Sequence, residues 1–374
     1  IPSHNVELAA AKERGTPLIH RSDLLAQFLS VGTTVGVTGT HGKGTTSAMI
    51  ARILDAAGRD PGFIVGGILV DYGVNARAGS GEVIVAEVDE SDGSHANVQT
   101  THWLCNFLEA DHLNYYDDLE HIIQTMADAV NANPRLERLF VNGDCDGNRA
   151  LLDRVNVAAV TYGVETACDY RGRRIGDGQR PLRFEAFRGD ASLGEFTIAV
   201  PGAYNIVNAL GAMAVADALG VPVEAMRSGL ADFHGLENRF SIVDAAGVAI
   251  VKDYNSHPTA MRAVLASARS LSPGRVFAVF KPYRYTLTHY LKDEYATAFR
   301  GADEVVITTM YAANEDPIPG VDTQFVVDML RREGHTVQHI PNQDAIVDTL
   351  EAQVRTGDQV IFFGGDDFFR MADA

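Results

Sequence analysis

The stretch VGVTGTHGKGTTS, from Val35 to Ser47, closes an apolar run with glycines, a histidine and a lysine, then leads straight into AMIARILDAAG. A strand, a tight turn and a helix start in that order make a place where phosphate is cradled. Gly39 and Gly42 permit positive φ and close backbone approach, the helix N-terminus offers unpaired N–H groups, and Lys43 adds a point charge. A turn packed for structural reasons would explain the glycines but not a lysine at its mouth. The spacing departs from the G-x-x-x-x-G-K-[ST] pattern at both ends, with Val37 at the first glycine position and Gly44 directly after the lysine. Two further strand ends carry chemistry. EVDESDGSH crowds Glu87, Asp89, Glu90 and Asp92 together, which suits a divalent cation bridging phosphates, with an exposed acidic loop as the alternative. NFLEADHLNYY supplies Asp111 and His112; such a pair is commonly a helix cap, but beside a phosphate loop and an acidic cluster His112 becomes a candidate ligand.

These residues need a scaffold that delivers several strand ends to one place. Short apolar runs (TTVGVTG, GFIVGG, EVIVAEV, HWLCNFL, RLFVNG) alternate with helical stretches at about Lys43–Ala57 and Leu119–Ala132, which predicts a parallel sheet covered on both faces. Earlier helices are expected near Asn5–Arg14 and Asp23–Leu29. Between about Tyr162 and Val200 the texture turns to alternating segments (LRFEAF, EFTIAV) typical of antiparallel strands. A helix at about Tyr204–Leu219 follows. After HGLENRF the pattern restarts: VAIVKDY, a helix after HPTAM, RVFAVF, a helix to Arg300, EVVITT, a helix near Val326–Glu333, TVQHI, a helix near Ala345–Arg355, then DQVIFFGG. That is a second doubly wound unit, with the boundary near 236–242. Ligands of such sheets bind beyond the carboxyl ends of the strands.

Composition narrows the class. A chain of 374 residues exceeds one ordinary core and suggests two domains. The net charge of −18, with no basic block, opposes nucleic acid and anionic membrane as partners, so phosphate must be met by local devices. Cys105, Cys145 and Cys168 lie far apart and suggest neither a disulfide framework nor a zinc site. No apolar run is long enough to span a bilayer and no signal peptide opens the chain, so a cytoplasmic enzyme is expected.

Taken in order, GTHGKGTT, EVDESDGSH, LEADHLNYY, VPGAYNIVNALGA, HGLENRF, KDYNSHPTA, FKPYRY, MYAANEDPIPG and FFGGDD resemble the ATP-dependent Mur ligases, nearest their UDP-N-acetylmuramate–L-alanine ligase branch. The resemblance covers essentially the whole chain. It implies an α/β protein with a central P-loop-type parallel-sheet ATPase domain (33–237) and a C-terminal Rossmann-like domain (238–374). Such enzymes use ATP and Mg²⁺ to turn a carboxylate into an acyl phosphate, which an amino acid amine then displaces to give an amide and ADP. Carried over residue by residue, the resemblance puts Thr40, His41, Gly42, Lys43, Gly44 and Thr45 around ATP, with Lys43 on the β- and γ-phosphates. Glu90 would ligate the Mg²⁺ shared with ATP, and His112 a second Mg²⁺ near the acyl phosphate. Asn205 and Asn208 match the adenine-contacting segment, Arg239 an arginine that reaches phosphate from the domain junction, and Asp253 the ribose carboxylate. His257, Tyr283, Arg284 and Leu287 fall on the acceptor side. The donor is then a small-molecule carboxylate and the acceptor an amino acid. No lysine lies between Lys43 and Lys252, so the carbamylated lysine of other branches is absent.

Departures from the family pattern bear on these expectations. Gly44 replaces the Thr or Ser whose hydroxyl binds Mg²⁺, leaving Thr45 or water to substitute, or ATP binding weaker. Ser256 replaces the first histidine of a His-His-Pro motif. In FKPYRYTLT, Tyr283 and Leu287 replace a histidine and an arginine, which makes the acceptor wall less basic and points to a larger or less charged acceptor. The opening IPSHNVELAAAKERG resembles the tail of the family's first domain, so residues 1–32 are expected to be its remnant. A UDP-binding domain or subunit elsewhere, or a different donor, would account for the rest. Alternative readings are a ligase of the same superfamily outside peptidoglycan synthesis (pseudomurein, capsule peptide or recycling), and a non-catalytic nucleotide-binding module, for which Gly44 argues.

Overall fold

The computed structural model describes residues 5–176 and 180–372. The expected remnant segment therefore begins, in structural terms, at Asn5. Helices α1 (Val6–Glu13) and α2 (Arg21–Phe28) open the chain, each capped by a side chain, Asn5 and His20 respectively. Strand β1 (Thr33–Thr38) feeds α3 (Lys43–Ala56), followed by β2 (Gly62–Leu69), β3 (Val74–Arg77), β4 (Val83–Glu87) and β5 (His102–Cys105). Then come α4 (Leu119–Asn131), β6 (Arg138–Asn142), α5 (Asp146–Leu152), β7 (Ala159–Gly163), β8 (Tyr170–Ile175), β9 (Leu182–Arg188), β10 (Ala191–Ile198), α6 (Tyr204–Ala218) and α7 (Val223–Ala231).

All ten strands join one sheet in the order β10-β9-β8-β7-β6-β5-β1-β4-β2-β3. The chain leaves β1 toward one side and returns through β4 to β5 on the other, so β1 sits at the topological switch point. Its parallel register pairs Val37 with Glu87 and Thr38 with Cys105. That register brings the segments after β1, β4 and β5 out at one edge, where a crevice must open. The apolar runs behave as runs buried on both faces should: Val35, Val37, Val85 and Leu104 are fully buried. On one face α3 and α6 close over the sheet through Ile50, Leu54, Leu210 and Met213; on the other α4 contributes Ile122, Met126 and Val130.

The segment expected to turn antiparallel does so at β8–β9–β10, but it extends the same sheet, because β7 pairs β6 in parallel and carries β8 alongside. The alternating texture marks strands with one face in the domain core, through Leu182, Phe184, Phe196 and Ile198, and the other toward solvent.

The second unit contains β11 (Ser241–Ala245), β12 (Val248–Asp253), α8 (Pro258–Leu271), β13 (Val276–Phe280), α9 (Tyr285–Tyr290), α10 (Lys292–Ala298), β14 (Glu304–Ile307), α11 (Thr323–Arg332), β15 (Val337–His339), α12 (Asp344–Glu351), β16 (Gln359–Phe363) and α13 (Asp366–Ala372). Its sheet runs β11-β12-β16-β13-β14-β15. The single helix expected to reach Arg300 is instead two, broken where Leu291 leaves helical geometry at φ −104 and ψ 26 while its side chain stays in the core. Parallel pairing of Asp253 and Phe280 with Phe363 aligns the ends of β12, β16 and β13, which face the first crevice. No helix among the described residues is long and apolar enough to cross a membrane.

Candidate active site

The glycine turn follows β1 and is packed hard against β5. Gly39 has φ +114, and a Cβ there would lie 2.5 Å from the Phe107 carbonyl oxygen. Gly42 (φ +78) caps α3, and a Cβ would meet Asn208 Oδ1 at 2.5 Å and Asn106 Nδ2 at 2.7 Å. Both glycines are therefore required by close approach as well as by left-handed backbone. Thr40 locks the turn, its N–H donating to the Phe107 carbonyl (2.7 Å) and its hydroxyl accepting from the Glu109 N–H (3.0 Å). Gly44 differs: its φ is ordinary, and a Cβ would meet only side-chain ends, Leu236 Cδ1 at 3.0 Å and Glu87 Oε2 at 3.1 Å. Glu87 lies there because it accepts a hydrogen bond from the Gly66 N–H (2.7 Å). Thr45 faces the cavity, whereas the next hydroxyl, Thr46, is turned inward between Asn106 (2.8 Å) and Asn208 (3.3 Å).

Lys43 reaches back from the start of α3 to the Gly39 carbonyl (2.8 Å) and to Glu90 (3.0 Å). Glu90 is 2% exposed and also meets His112 Nε2 at 3.3 Å, while its own carbonyl accepts from the Tyr116 hydroxyl. Three strand ends thus converge on one carboxylate. Burial disfavours the charge on Glu90, but Lys43 and His112 outweigh it and hold its pKa below the usual range. Burial likewise works against charged Lys43 and charged His112. The surrounding carboxylates, Glu90 first for each by hydrogen bond or charge, raise both pKa values. Glu90 Oε2 lies 3.0 Å from the Lys43 ammonium yet has no hydrogen bond directed at it. A buried carboxylate oxygen with an open lone pair is suited to a hard cation. His112 adopts φ +52, a left-handed conformation that a non-glycine residue takes only where its surroundings impose it.

The two asparagines expected near adenine separate. Asn208 borders the cavity; Asn205 instead holds the PGAYN turn through the Pro201 carbonyl (2.6 Å) and accepts from Asn208 (3.0 Å). Asp253, at the end of β12, is 1% exposed and accepts from the Phe240 N–H and from both Asn255 donors. Burial raises its pKa despite the Arg239 charge nearby. Arg239 leaves the domain junction exposed, over the Tyr254 ring and bonded to Asn255.

Arg284 sits at φ +64 just before α9 and crosses the cleft to Asn114 (3.1 Å), with Glu315 at 3.8 Å and the Tyr283 ring beneath it. Tyr283 stacks on Tyr311, and Lys281 lies over the Tyr311 ring. Leu287 is 7% exposed and serves two surfaces: it packs in the hydrophobic core of the second domain and also lines the cavity. His257 caps α8 and donates from Nε2 to the Ala110 carbonyl of the first domain (3.2 Å).

All the site residues expected from sequence except Asn205 and Glu90 border one cavity of about 690 Å³ between the two sheets. Its size suits a nucleotide-scale ligand. Glu90 stands directly behind Lys43. Sequence reasoning had not carried Glu109, Asn114, Asn255, Lys281 or Tyr311 into the site. Glu109 lies in the same LEADH string as His112, three residues from it, and strand-end position was the available signal.

Residues 37–216 match the family model of the Mur ligase middle domain, and residues 238–365 that of the Mur ligase, glutamate ligase domain. UDP-N-acetylmuramate–L-alanine ligase of Sorangium cellulosum is 38% identical over 372 residues, 98% of this chain and 79% of that protein. The enzyme of the same name from Syntrophotalea carbinolica is 36% identical over 376 residues, 100% of this chain and 82% of that one. Among solved structures, UDP-N-acetylmuramate-alanine ligase MurC of Thermotoga maritima superposes with a TM-score of 0.83 at 23% identity, covering 100% of this chain and 82% of its own. MurF ligase of Thermotoga maritima in complex with ADP gives 0.71 at 20% identity, covering 95% and 82%. At those identities the two structures attest the fold.

Proposed function

The chain belongs to the Mur ligase family, and from that premise we propose that the crevice between its sheets holds ATP with Mg²⁺ against the first domain and an acceptor amino acid against the second. It is an ATP-dependent, ADP-forming amide ligase of the MurC-like branch, which activates a carboxylate as an acyl phosphate and joins it to an amine. The observation that carries our assignment of roles is the convergence of Lys43 and His112 on Glu90, both within 3.3 Å, beside a cavity bounded across the cleft by Asp253 and Arg284. We take 33–237 as the ATP-binding domain and 238–374 as the C-terminal domain.

In this reading Lys43 would serve the β- and γ-phosphates, and Glu90 with the Thr45 hydroxyl would hold a divalent cation. His112 would ligate a second cation nearer the acyl group. A divalent cation bound there offsets the negative charge that builds on the transferred phosphoryl group. Arg239 adds a flexible positive charge from the junction, and Asp253 receives the ribose hydroxyls. Arg284, already aimed into the cleft, exchanges Asn114 and Glu315 for the acceptor carboxylate.

The names of the relatives support a UDP-N-acetylmuramate donor and an L-alanine acceptor. The Tyr283–Tyr311 wall with Lys281 favours a second reading of the acceptor, as a residue large enough to lie on those rings. An acceptor series measured by ADP release separates the two. Titrating ATP affinity against Mg²⁺ tests the division of the metal ligands. Glu90→Ala is expected to raise the Mg²⁺ requirement for nucleotide binding, whereas His112→Ala spares binding and slows turnover. Equal losses of affinity would overturn the division.

A further inference from the structure

His41, Glu109 and His257 form a cluster to which the proposed phosphoryl chemistry gives no role, although His41 and His257 border the same cavity. One ligand atom from each lies within 4.8 Å of the others: His41 Nε2 is 3.2 Å from Glu109 Oε2, and His257 Nδ1 is 3.9 Å from it. The side chains are 14%, 30% and 8% exposed, so this is a shielded group rather than a solvated face. Ligand bonds of about 2.0–2.1 Å to a tetrahedral ion put donor atoms roughly 3.4 Å apart, so the 3.2 Å pair is already at that spacing and the wider pairs must close by up to about 1.4 Å.

We propose that His41, Glu109 and His257 form a binding site for a transition-metal dication of the zinc class, separate from the Mg²⁺ ligands and spanning the two domains. Two imidazoles and one carboxylate are a donor set that such ions prefer and Mg²⁺ does not. The His257 ring is oriented for it, and His41 Nε2 already faces Glu109, where the ion would take the place of its proton. His257 spends Nε2–H on the Ala110 carbonyl, which fixes the tautomer with the Nδ1 lone pair toward Glu109, the arrangement that outer-shell carbonyls impose on ligating histidines. The Thr259 N–H competes for that lone pair only at 3.3 Å, a long bond that an ion would displace. Burial, reinforced by His41, lowers the His257 pKa to about 4, so the ring is neutral as a ligand must be. Glu109 is lowered to about 2, mainly by its bond to His41 against the opposing effect of burial, and supplies the negative charge.

His41 and Glu109 come from the first domain and His257 from the second. An ion here therefore pins α8 to the phosphate turn and holds the cleft closed. The test uses the whole chain, stripped of metal and saturated with Mg²⁺, and titrates it with Co²⁺ and then Zn²⁺. One Co²⁺ per chain should bind with visible ligand-field bands and be displaced by Zn²⁺. His41→Ala, Glu109→Ala and His257→Ala should each weaken binding about tenfold or more, while Glu90→Ala leaves it intact. Zn²⁺ should also slow amide hydrogen exchange at residues 109–112 and in the first turn of α8 together. Glu109→Gln and His257→Gln keep much of the local hydrogen bonding and serve if an alanine variant fails to fold. Unchanged Co²⁺ affinity in the folded variants would overturn the proposal. So would loss of the site in Glu90→Ala alone, which assigns the ion to the Mg²⁺ ligands.

Discussion

Lys43 and Glu90 show at the residue scale how one contact serves both fold and reaction. From sequence, Lys43 reads as a side chain aimed at ligand, whose removal would spare the fold. The structure instead lays it, 14% exposed, on a carboxylate that is 2% exposed. Removing one partner of a buried pair strands the other charge, at a cost of up to about 3–5 kcal/mol, and His112 can offset only part of it. Lys43→Ala should therefore abolish ADP formation and also lower the melting temperature. Adding Glu90→Gln should restore stability without activity. If Lys43→Ala melts like the parent, the pair carries no structural load. The types of these residues and their places after strands were legible from sequence. Their mutual pairing was not, because it follows from the register of β4 and β5 on either side of β1.

Among the elements, the start of α3 is where the family pattern and this sequence part. Gly44 needs no left-handed backbone, and its neighbours are side-chain ends, Leu236 in the core and Glu87 held by the Gly66 N–H. Gly44→Thr is therefore expected to fold with a loss of about 1–3 kcal/mol and to tighten Mg²⁺-dependent nucleotide binding. A loss of several kcal/mol in denaturant unfolding would show that the neighbours cannot yield. Apolar runs made the central strands readable, since burial on both faces writes itself as uninterrupted Val, Ile and Leu. VNAR at β3 escaped because it is mostly exposed and polar, and α5 because seven residues carry too little periodicity. Leu287 was only half legible for a related reason: one residue in a short helix has no pattern to show that it serves the core as well as the cavity wall. An arginine there would bury a charge in the core, so Tyr283→His is the cleaner probe of acceptor choice.

For the molecule as a whole, stability and reaction both depend on groups gathered from distant parts of the chain. His95 is 1% exposed with no well-formed hydrogen bond to either ring nitrogen, and His102 is 4% exposed; burial lowers both pKa values. The unfolded chain then takes up protons that the native chain refuses. The contribution of these two histidines is complete above about 6.5 and is lost as pH falls from there toward their native values. His95→Phe should flatten the acid slope of melting temperature against pH, and an unchanged slope would remove His95 from the account. The central claim is that a carboxylate oxygen attacks ATP within the cleft before the amine arrives. It is tested most directly with UDP-N-acetylmuramate carrying heavy oxygen in both carboxylate positions, incubated with ATP, Mg²⁺ and L-alanine, and the released phosphate weighed by mass spectrometry. The account predicts one heavy oxygen in each phosphate released and the other retained in the amide. Phosphate that carries no label, with ADP formed at the same rate when the donor is omitted, would contradict it.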